Sequence, residues 1–574
     1  MSGPSRKPAP ERGADRWMLA LLLVAGLSVQ LMYWLADGTA VRYTGKDDEL
    51  YVYQGYQVAG LTGEKPIFNM RPPGVSMLIA ACLRAFGYRN IWTVGLLLRV
   101  ILAACPVLYY LLLRQATGRP LAAVASSLSL FLGYNERAGN LDSDRVYAAF
   151  GLLSIGLAWL ALRRTGEAEE AVGGKPGWLA SSAAGLALCF RTMLRSTGLF
   201  FAIVFGLAAS LLWGGSRKQQ AKLLAIVVGP SIAFIIGLGV YHAALLGTWG
   251  LPAPTQMVVP GLYAIADCPI VVPDSPEVEQ LLRTLPEARR EDLVSIEADW
   301  FVAQYRLVQR GGMEPFEYQK LQEKVTRQYM LSNPRAVASR ALNWSVVLLL
   351  YGMPECVLEK FAGWNRLMAG HQERLAHRVW GEPYPRYPLQ GTGVLGELSG
   401  EIGERLHSEM RWAAFDASHL LGRTQRENRF EKGFGRDWAD PFAFPLWVFN
   451  GVRHALSLRR IADAFAWGWL GVVSIALLCC SRRTRRWGIL LAAAAIAEFA
   501  PIALAAGPTW RYCIYLQPIW YLGVWLMFGS LVRLDSHTSP AGDGGASKAQ
   551  TEIARHNEAG VRETEELPKN ASAE

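Results

Sequence analysis

Acidic and basic residues border the long apolar segments of this chain at several places, and they are its best candidates for chemistry. The motifs are Lys46-Asp47-Asp48-Glu49-Leu50-Tyr51, Arg71-Pro72-Pro73-Gly74, Asn140-Leu141-Asp142-Ser143-Asp144-Arg145, Arg191 with Arg195, and Trp510-Arg511-Tyr512. Ionisable groups at membrane depth are costly, so the ones that a membrane protein keeps are candidates for function.

These side chains would suit group transfer from a phosphate to a hydroxyl. Arginines bind phosphate oxygens through paired hydrogen bonds. A carboxylate can deprotonate or orient the acceptor hydroxyl as a general base. The phosphate leaving group needs no proton where cations stabilise its developing charge. A sugar linked to a lipid phosphate meets these requirements, and its lipid tail explains why the site borders the membrane.

The composition indicates what kind of scaffold must position these residues. Hydrophobic residues make up 51% of the 574 residues and charged residues only 18%, whereas soluble domains carry about a quarter charged residues. This pattern predicts an α-helical polytopic membrane protein with a soluble portion. It excludes a purely cytosolic enzyme, a disulfide scaffold and a disordered protein.

Apolar segments long enough to cross a bilayer predict about ten transmembrane helices. They are 17–36, 92–113, 121–134, 144–162, 178–190, 196–213, 223–246, 465–481, 487–507 and 512–532. Two of these, 121–134 and 178–190, are short. The N-terminal segment 17–36 also resembles a signal peptide, but we find no small-residue cleavage site and interpret it as a retained anchor.

Clusters of basic residues predict the orientation of these helices by the positive-inside rule. With the N-terminus in the cytoplasm, the same side receives Arg114/Arg119, Arg163/Arg164, Arg217/Lys218/Lys222 and Arg482/Arg483/Arg485/Arg486. The scheme holds only if Gly74–Phe86 and Leu342–Met353 do not cross. Gly74–Phe86 is therefore predicted to dip into, or lie along, the outer surface. The net charge of +10 then reflects topology, and nucleic acid is not an expected partner.

The resulting organisation is a multi-pass protein of the inner (plasma) membrane with its charged motifs on the periplasmic face. Its predicted parts are a cytoplasmic tail (1–16), a transmembrane core (17–246) with a first external loop (37–91), a periplasmic domain (247–464), C-terminal transmembrane helices (465–532) and a disordered cytoplasmic tail (533–574). Cys268 and Cys356 fall in the periplasmic domain, where a disulfide is permitted but not required.

Several of these motifs resemble those of the GT-C superfamily of polytopic glycosyltransferases. Asp47-Asp48-x-x-Tyr51 is similar to the motif in that family's first external loop. Arg71-Pro72-Pro73-Gly74, followed by an apolar helix ending in Phe86-Gly87, resembles a second family segment. Further matches follow in the expected order at Arg99, Asp142/Asp144, Arg195, and Arg511-Tyr512 with Pro518. The likeness covers roughly 40–245 and 465–532 and is closest to the branch of protein O-mannosyltransferases and bacterial aminoarabinose transferases.

The resemblance implies a polyprenyl-phosphate-linked sugar donor and transfer with inversion at the anomeric carbon. It implies Asp47 as the base, assisted by Asp48 and Asp144. The implied donor phosphate ligands are Arg71, Arg195, Arg511 and Arg191. Arg191 is an alternative to Arg195, because Ser196 and Thr197 follow Arg195 where that branch often has a proline. Further candidates for the site are Tyr51, Asp142, Arg99 and Tyr512.

The acceptor is a hydroxyl of a lipid, a glycan or a protein, which the sequence does not distinguish. Residues 247–464 resemble no acceptor-binding domain. A divalent cation can be accommodated between the two acidic clusters, but nothing in the sequence requires one.

Structural explanations compete with each functional one. An acid such as Asp144 can stabilise a helix N-terminus, and the arginines can reach toward the interface as snorkelling residues. Tyr51 can be an interface anchor, and Arg99 can pair with an acid. Glu498, near the middle of the predicted ninth span, is expected to pair structurally with a protein group.

Two other functions remain open. A transporter or flippase for lipid-linked sugars would place polar residues on paired, broken helices near mid-membrane, yet no internal repeat is visible. A non-catalytic assembly protein for lipid-linked glycans would use 247–464 as a binding platform. Unlike the transferase, it would tolerate neutralising both acidic clusters.

Overall fold

The computed structural model describes only parts of the chain, and all structural statements below concern those parts. They are residues 9–37, 47–61, 65–68, 71–87, 92–132, 144–168, 177–212, 216–252, 271–284, 311–350, 461–462, 464–482, 484–505 and 514–538. The predictions made for Asp142, Arg511, Tyr512, Cys268 and Cys356 lie outside them.

Regular structure within these ranges is helical throughout. The helices are α1 (Ala9–Asp37), α2 (Asp47–Ala59), α3 (Gly74–Phe86), α4 (Trp92–Ala103), α5 (Cys105–Thr117), α6 (Arg119–Ser129), α7 (Asp144–Ala168), α8 (Trp178–Leu194), α9 (Thr197–Leu212), α10 (Arg217–Leu246), α11 (Pro276–Thr284), α12 (Pro315–Ser332), α13 (Pro334–Leu350), α14 (Gly468–Cys480), α15 (Arg485–Ala505) and α16 (Gln517–Thr538). No β-strand occurs in the described ranges.

Four described helical stretches are long and apolar enough to cross a membrane: Gly13–Leu31, Thr93–Arg114, Asp144–Leu162 and Arg217–Leu246. Shorter apolar helices include Gly74–Phe86, Trp178–Leu194, Thr197–Leu212, Gly468–Cys480 and Gln517–Val532. These features are those of a helical membrane protein. The number of about ten crossings stays a prediction.

Some helix bounds differ from the predicted ones. Helix α6 has only 11 residues and rises about 16 Å, so it ends well before residue 134. Its end tightens into a turn, in which the Leu130 amide donates to the Ser127 carbonyl oxygen at 3.3 Å. Helix α16 continues to Thr538, so residues 533–538, assigned from sequence to the disordered tail, are helical.

Contacts near the two ends of α16 show which helix ends lie at each end of the bundle. At one end, Asp15 of α1 forms ion pairs with Arg114 and Arg119, and a Cβ on Gly529 would collide with Thr117. At the other end, Tyr515 contacts Asp144, the first residue of α7. Fourteen positions of mostly helical chain separate Tyr515 from Gly529, which is about 20 Å. The start of α1 and the end of α16 therefore lie together, opposite Asp144.

The segment between α10 and α14 is described only in part. Helix α12 begins after Glu314, whose side chain accepts a hydrogen bond from the Glu317 amide at 3.1 Å. This helix covers Pro315–Ser332, while 285–310 lies outside the described ranges. Helix α13 packs against α15 and α14. The assignment of 247–464 to a periplasmic domain stays a prediction.

Candidate functional site

Helices α2 and α3 run side by side in the same direction, and this fixes where the Asp47-Asp48 motif lies. The Ser76 hydroxyl donates to Gln54 Oε1 at 3.2 Å. Further along both helices, Arg84 Nη2 donates to the Val58 carbonyl oxygen at 2.8 Å. Later residues of α2 thus meet later residues of α3. The first turn of α2, which contains Asp47 and Asp48, therefore lies at the N-terminal end of α3.

The N-terminal end of α3 in turn abuts the C-terminal end of α8. Gly74 lies so close to the backbone of Met193 and Leu194 that a Cβ atom there would collide with it. Arg71 precedes Gly74 by three residues and is half-buried, and Arg195 follows Leu194 directly. The backbone thus brings Asp47, Arg71 and Arg195 to one end of the bundle.

Asp144, Arg195 and Tyr515 form what we call the upper cluster. Arg195 Nη2 and the Tyr515 hydroxyl both donate to Asp144 Oδ1. The Arg195 side chain keeps 20% of its surface exposed, whereas that of Asp144 keeps 1%. The arrangement encloses the Asp144 carboxylate, while part of the Arg195 side chain stays exposed.

Tyr147, Arg191 and Glu498 form a lower cluster one helical turn deeper. Tyr147 follows Asp144 by three positions on α7, and Arg191, in the last turn of α8, precedes Arg195 by four, so each lies about one turn below its upper counterpart. Arg191 Nη2 forms an ion pair with Glu498 Oε1 on α15. The Tyr147 hydroxyl donates to Glu498 at 3.4 Å.

The lower cluster is sealed from solvent. Arg191 is 1% exposed and Glu498 2% exposed. The Arg191 guanidinium carbon lies 4.0 Å from the centroid of the Tyr147 ring and 3.7 Å from that of Phe201, in cation–π geometry. Its Nε and Nη1 atoms have no hydrogen-bond partner among the described residues. The pairing predicted for Glu498 is thus present, and Arg191 is buried instead of lying at the outer surface.

The two clusters stack on each other through their tyrosines. The rings of Tyr147 and Tyr515 meet edge to face at a centroid distance of 4.9 Å. The Arg195 guanidinium carbon lies 5.0 Å from the Tyr515 centroid. Helices α7, α8, α15 and the start of α16 therefore converge on one column of polar and aromatic side chains.

The remaining predicted site residues are placed as follows. Tyr51 is 1% exposed within the hydrophobic core. Arg99 is 2% exposed, and its Nη1 donates to the Gln30 carbonyl oxygen at 3.3 Å. No group of three or more His, Cys, Asp or Glu residues that could hold a metal occurs among the described residues. The functional roles assigned to these residues stay predictions.

Sequence reasoning did not single out Tyr147 or Tyr515 as parts of the site. Tyr147 carried a signal, because the spacing from Asp144 to Tyr147 matches that expected for neighbours on one helix face. Tyr515 lies close to the charged motif Trp510-Arg511-Tyr512, because only two residues separate it from Tyr512. Neither spacing indicates which distant residue completes the cluster.

Comparison with known proteins yields weak likenesses only. No family model and no curated protein matches the chain. The crystal structure of the Archaeoglobus fulgidus oligosaccharyltransferase in the apo form is 12% identical, with a TM-score of 0.40. The archaeal oligosaccharyltransferase AglB from the same organism, in complex with an inhibitory peptide and a dolichol-phosphate, is 13% identical, also with a TM-score of 0.40.

The extent of this likeness is limited as well. Each comparison covers 96% of this chain and 53% of the other chain, so this chain spans about half the length of the structures it matches. A TM-score of 0.40 is too low to assign a common fold, and membership of a family is not shown.

Proposed function

We propose that this protein is a GT-C type membrane glycosyltransferase. It would take a sugar from a polyprenyl-phosphate-linked donor and transfer it, with inversion, to a hydroxyl of a lipid, glycan or protein at the periplasmic face. The observation that carries the proposal is the convergence of separate charged motifs. Three contacts support this convergence: α2 runs alongside α3 in the same direction, Gly74 abuts the end of α8, and Arg195, which follows α8, pairs with Asp144.

The reaction that fits these groups is a direct displacement. Asp47 removes the proton of the acceptor hydroxyl as general base, with Asp48 beside it. The acceptor oxygen attacks the anomeric carbon, and the bond from that carbon to the phosphate oxygen breaks. The polyprenyl phosphate leaves with the electron pair, and its added charge is stabilised by Arg71, Arg195 and Arg511.

Asp144 receives a positioning role in this scheme, whereas the resemblance grouped it with the catalytic acids. Its carboxylate is enclosed and accepts hydrogen bonds from Arg195 and Tyr515, so it would orient Arg195 without touching the acceptor. Arg191, grouped with the phosphate ligands, is buried against Glu498. We therefore assign Arg191 to supporting the upper cluster from below.

The sugars attached to lipids and glycans of the cell envelope test this function, and the test does not depend on which acceptor is used. Lipids and glycans from cells with and without the gene are compared by mass spectrometry. We expect one sugar substituent to disappear on deletion and to return with the wild-type gene. Identical sugar profiles in the two strains would exclude a transferase of this kind.

A further inference from the structure

A buried histidine joins three separated parts of the chain near the C-terminal end of α10. His242 has no exposed surface. Its Nε2 lies 3.1 Å from the Phe68 backbone nitrogen, which donates to it, and its Nδ1 lies 2.7 Å from the Gly250 carbonyl oxygen. Because a carbonyl only accepts hydrogen bonds, the proton must be on Nδ1 and the lone pair on Nε2. Both bonds are therefore made by a neutral imidazole.

The contacts around His242 attach the segment Lys65–Phe68, which we call the strap, to the rest of the protein. The Tyr241 hydroxyl donates to the Pro66 carbonyl oxygen at 2.9 Å. On the opposite side, the Phe316 ring of α12 lies 4.8 Å from the His242 ring, centroid to centroid. The strap, the end of α10 and the first turn of α12 thus share one buried joint.

The strap leads directly to the proposed donor site. Only two residues separate Phe68 from Arg71, which begins the segment that abuts α8 at Gly74. The strap is fixed to α2 as well, because Gln54 Nε2 donates to the Ile67 carbonyl oxygen at 3.0 Å. A displacement of the strap would therefore be passed both to Arg71 and to the helix that begins with Asp47.

We propose that His242 is a positioning residue that holds the strap, and through it Arg71, and that protonation of its imidazole releases the strap. Release of the strap depends only on the contacts around His242, while its effect on sugar transfer rests on the function proposed above. Protonation turns Nε2 from an acceptor into a donor. Two donors would then face each other, and the buried Phe68 amide would lose its partner.

Charged and titratable neighbours in the described residues do not replace the lost acceptor. Glu314, which directly precedes α12, is the acidic residue beside His242. Tyr241 on α10 is engaged with Pro66, and Lys65 on the strap is exposed. The described contact of the Phe68 amide is the one to His242 Nε2, so loss of that acceptor leaves the amide unpaired.

Hydrogen exchange of the strap tests the proposal on the full-length protein in detergent. A His242→Gln variant keeps a side-chain acceptor but cannot titrate, and comparison at equal pH cancels the intrinsic dependence of exchange on pH. At about pH 7.5 we expect equal exchange in the wild type and the variant. At about pH 5, below the usual imidazole pKa, we expect strap amides to exchange roughly tenfold faster in the wild type, because a buried donor is left unpaired.

Two further variants complete the experiment. His242→Phe keeps the ring but removes both hydrogen bonds, so its strap should exchange fast at both pH values. His537→Gln makes the same change at the far end of α16 and should behave as wild type. Equal exchange in the wild type and His242→Gln at both pH values would overturn the proposal.

Release of free polyprenyl phosphate from synthetic polyprenyl-phosphate sugars provides the activity readout. We expect the wild type to lose turnover between about pH 7.5 and pH 5 to a greater extent than His242→Gln. Equal pH profiles for the two proteins would refute the link from the strap to Arg71. If neither protein releases polyprenyl phosphate at any pH, the proposed function fails, while the exchange experiment still decides whether His242 holds the strap.

Discussion

The charged residues of the upper cluster lie where helix ends favour them. Asp144 begins α7 and Arg195 directly follows α8. An acid at a helix N-terminus and a base at a C-terminus are each stabilised by the helix dipole, and here the two are also paired with each other. The same contacts that stabilise the helix ends therefore set the direction of the Arg195 guanidinium.

Neutralising Asp144 should impair transfer by misplacing Arg195. We expect Asp144→Asn to lower kcat/KM for polyprenyl phosphate release by about 100-fold, since a charge-assisted pair and its geometry are lost. Tyr515→Phe removes one donor to the same oxygen but keeps the ion pair, so its loss should be about tenfold. If Asp144→Asn were as active as the wild type, Asp144 would not position Arg195.

Breaking the lower cluster should cost more stability than removing it altogether. Glu498→Ala leaves a buried, unpaired Arg191, and the free energy of unfolding should fall by about 3–5 kcal/mol. The double variant Arg191→Met/Glu498→Met replaces both charges by apolar groups and should be much less destabilised. Thermal unfolding in detergent measures both, and equal destabilisation of the two proteins would contradict this account of the pair.

Among the elements, helix bounds were predictable where apolar composition alone decides them. The predicted start of 144–162 coincides with the first residue of α7, and 196–213 differs by only one residue at each end from α9. The predicted segment 178–190 stops just before the charged residue Arg191. Helix α8 continues to Leu194 because Glu498, far away in sequence, satisfies the charge. Such a partner has no local signal.

The junction of α3 with α8 depends on the absence of a side chain at Gly74. A Cβ there would collide with the Met193 and Leu194 backbone, so Gly74→Ala should destabilise the protein by about 1–3 kcal/mol and reduce transfer by displacing Arg71. Gly237→Ala is the matched control, because nothing lies within 4 Å of a Cβ at that helical position. Unfolding temperature and polyprenyl phosphate release measure both changes. Unchanged values for Gly74→Ala would show that this close approach is not required.

For the molecule as a whole, composition predicted the class and motif order predicted which residues to inspect. Neither composition nor motif order predicted how deeply these residues are buried. Arg191 and Arg195 look equivalent in sequence, yet one is sealed against Glu498 and the other keeps a fifth of its side chain exposed. That difference arises from two residues distant in sequence: Glu498 on α15, which pairs with Arg191, and Tyr515 just before α16, which contacts Asp144.

Two parts of the whole-molecule prediction concern the membrane itself. The bundle places the start of α1 and the end of α16 together, opposite the upper cluster, as expected if both termini face the cytoplasm and the site faces outward. Helix α13, which contains much of a segment predicted not to cross, packs along α15 and α14. The orientation and the number of crossings stay predictions.

The acids at the start of α2 are proposed to act on a polyprenyl-phosphate sugar, and one measurement tests this role most directly. Purified Asp47→Asn protein is supplied with synthetic polyprenyl-phosphate sugars and native membranes as the source of acceptor. Release of free polyprenyl phosphate should fall by about 100-fold or more, the usual contribution of a general base. The neighbouring change Glu49→Gln should leave release near normal. Near-normal release by Asp47→Asn would contradict the account.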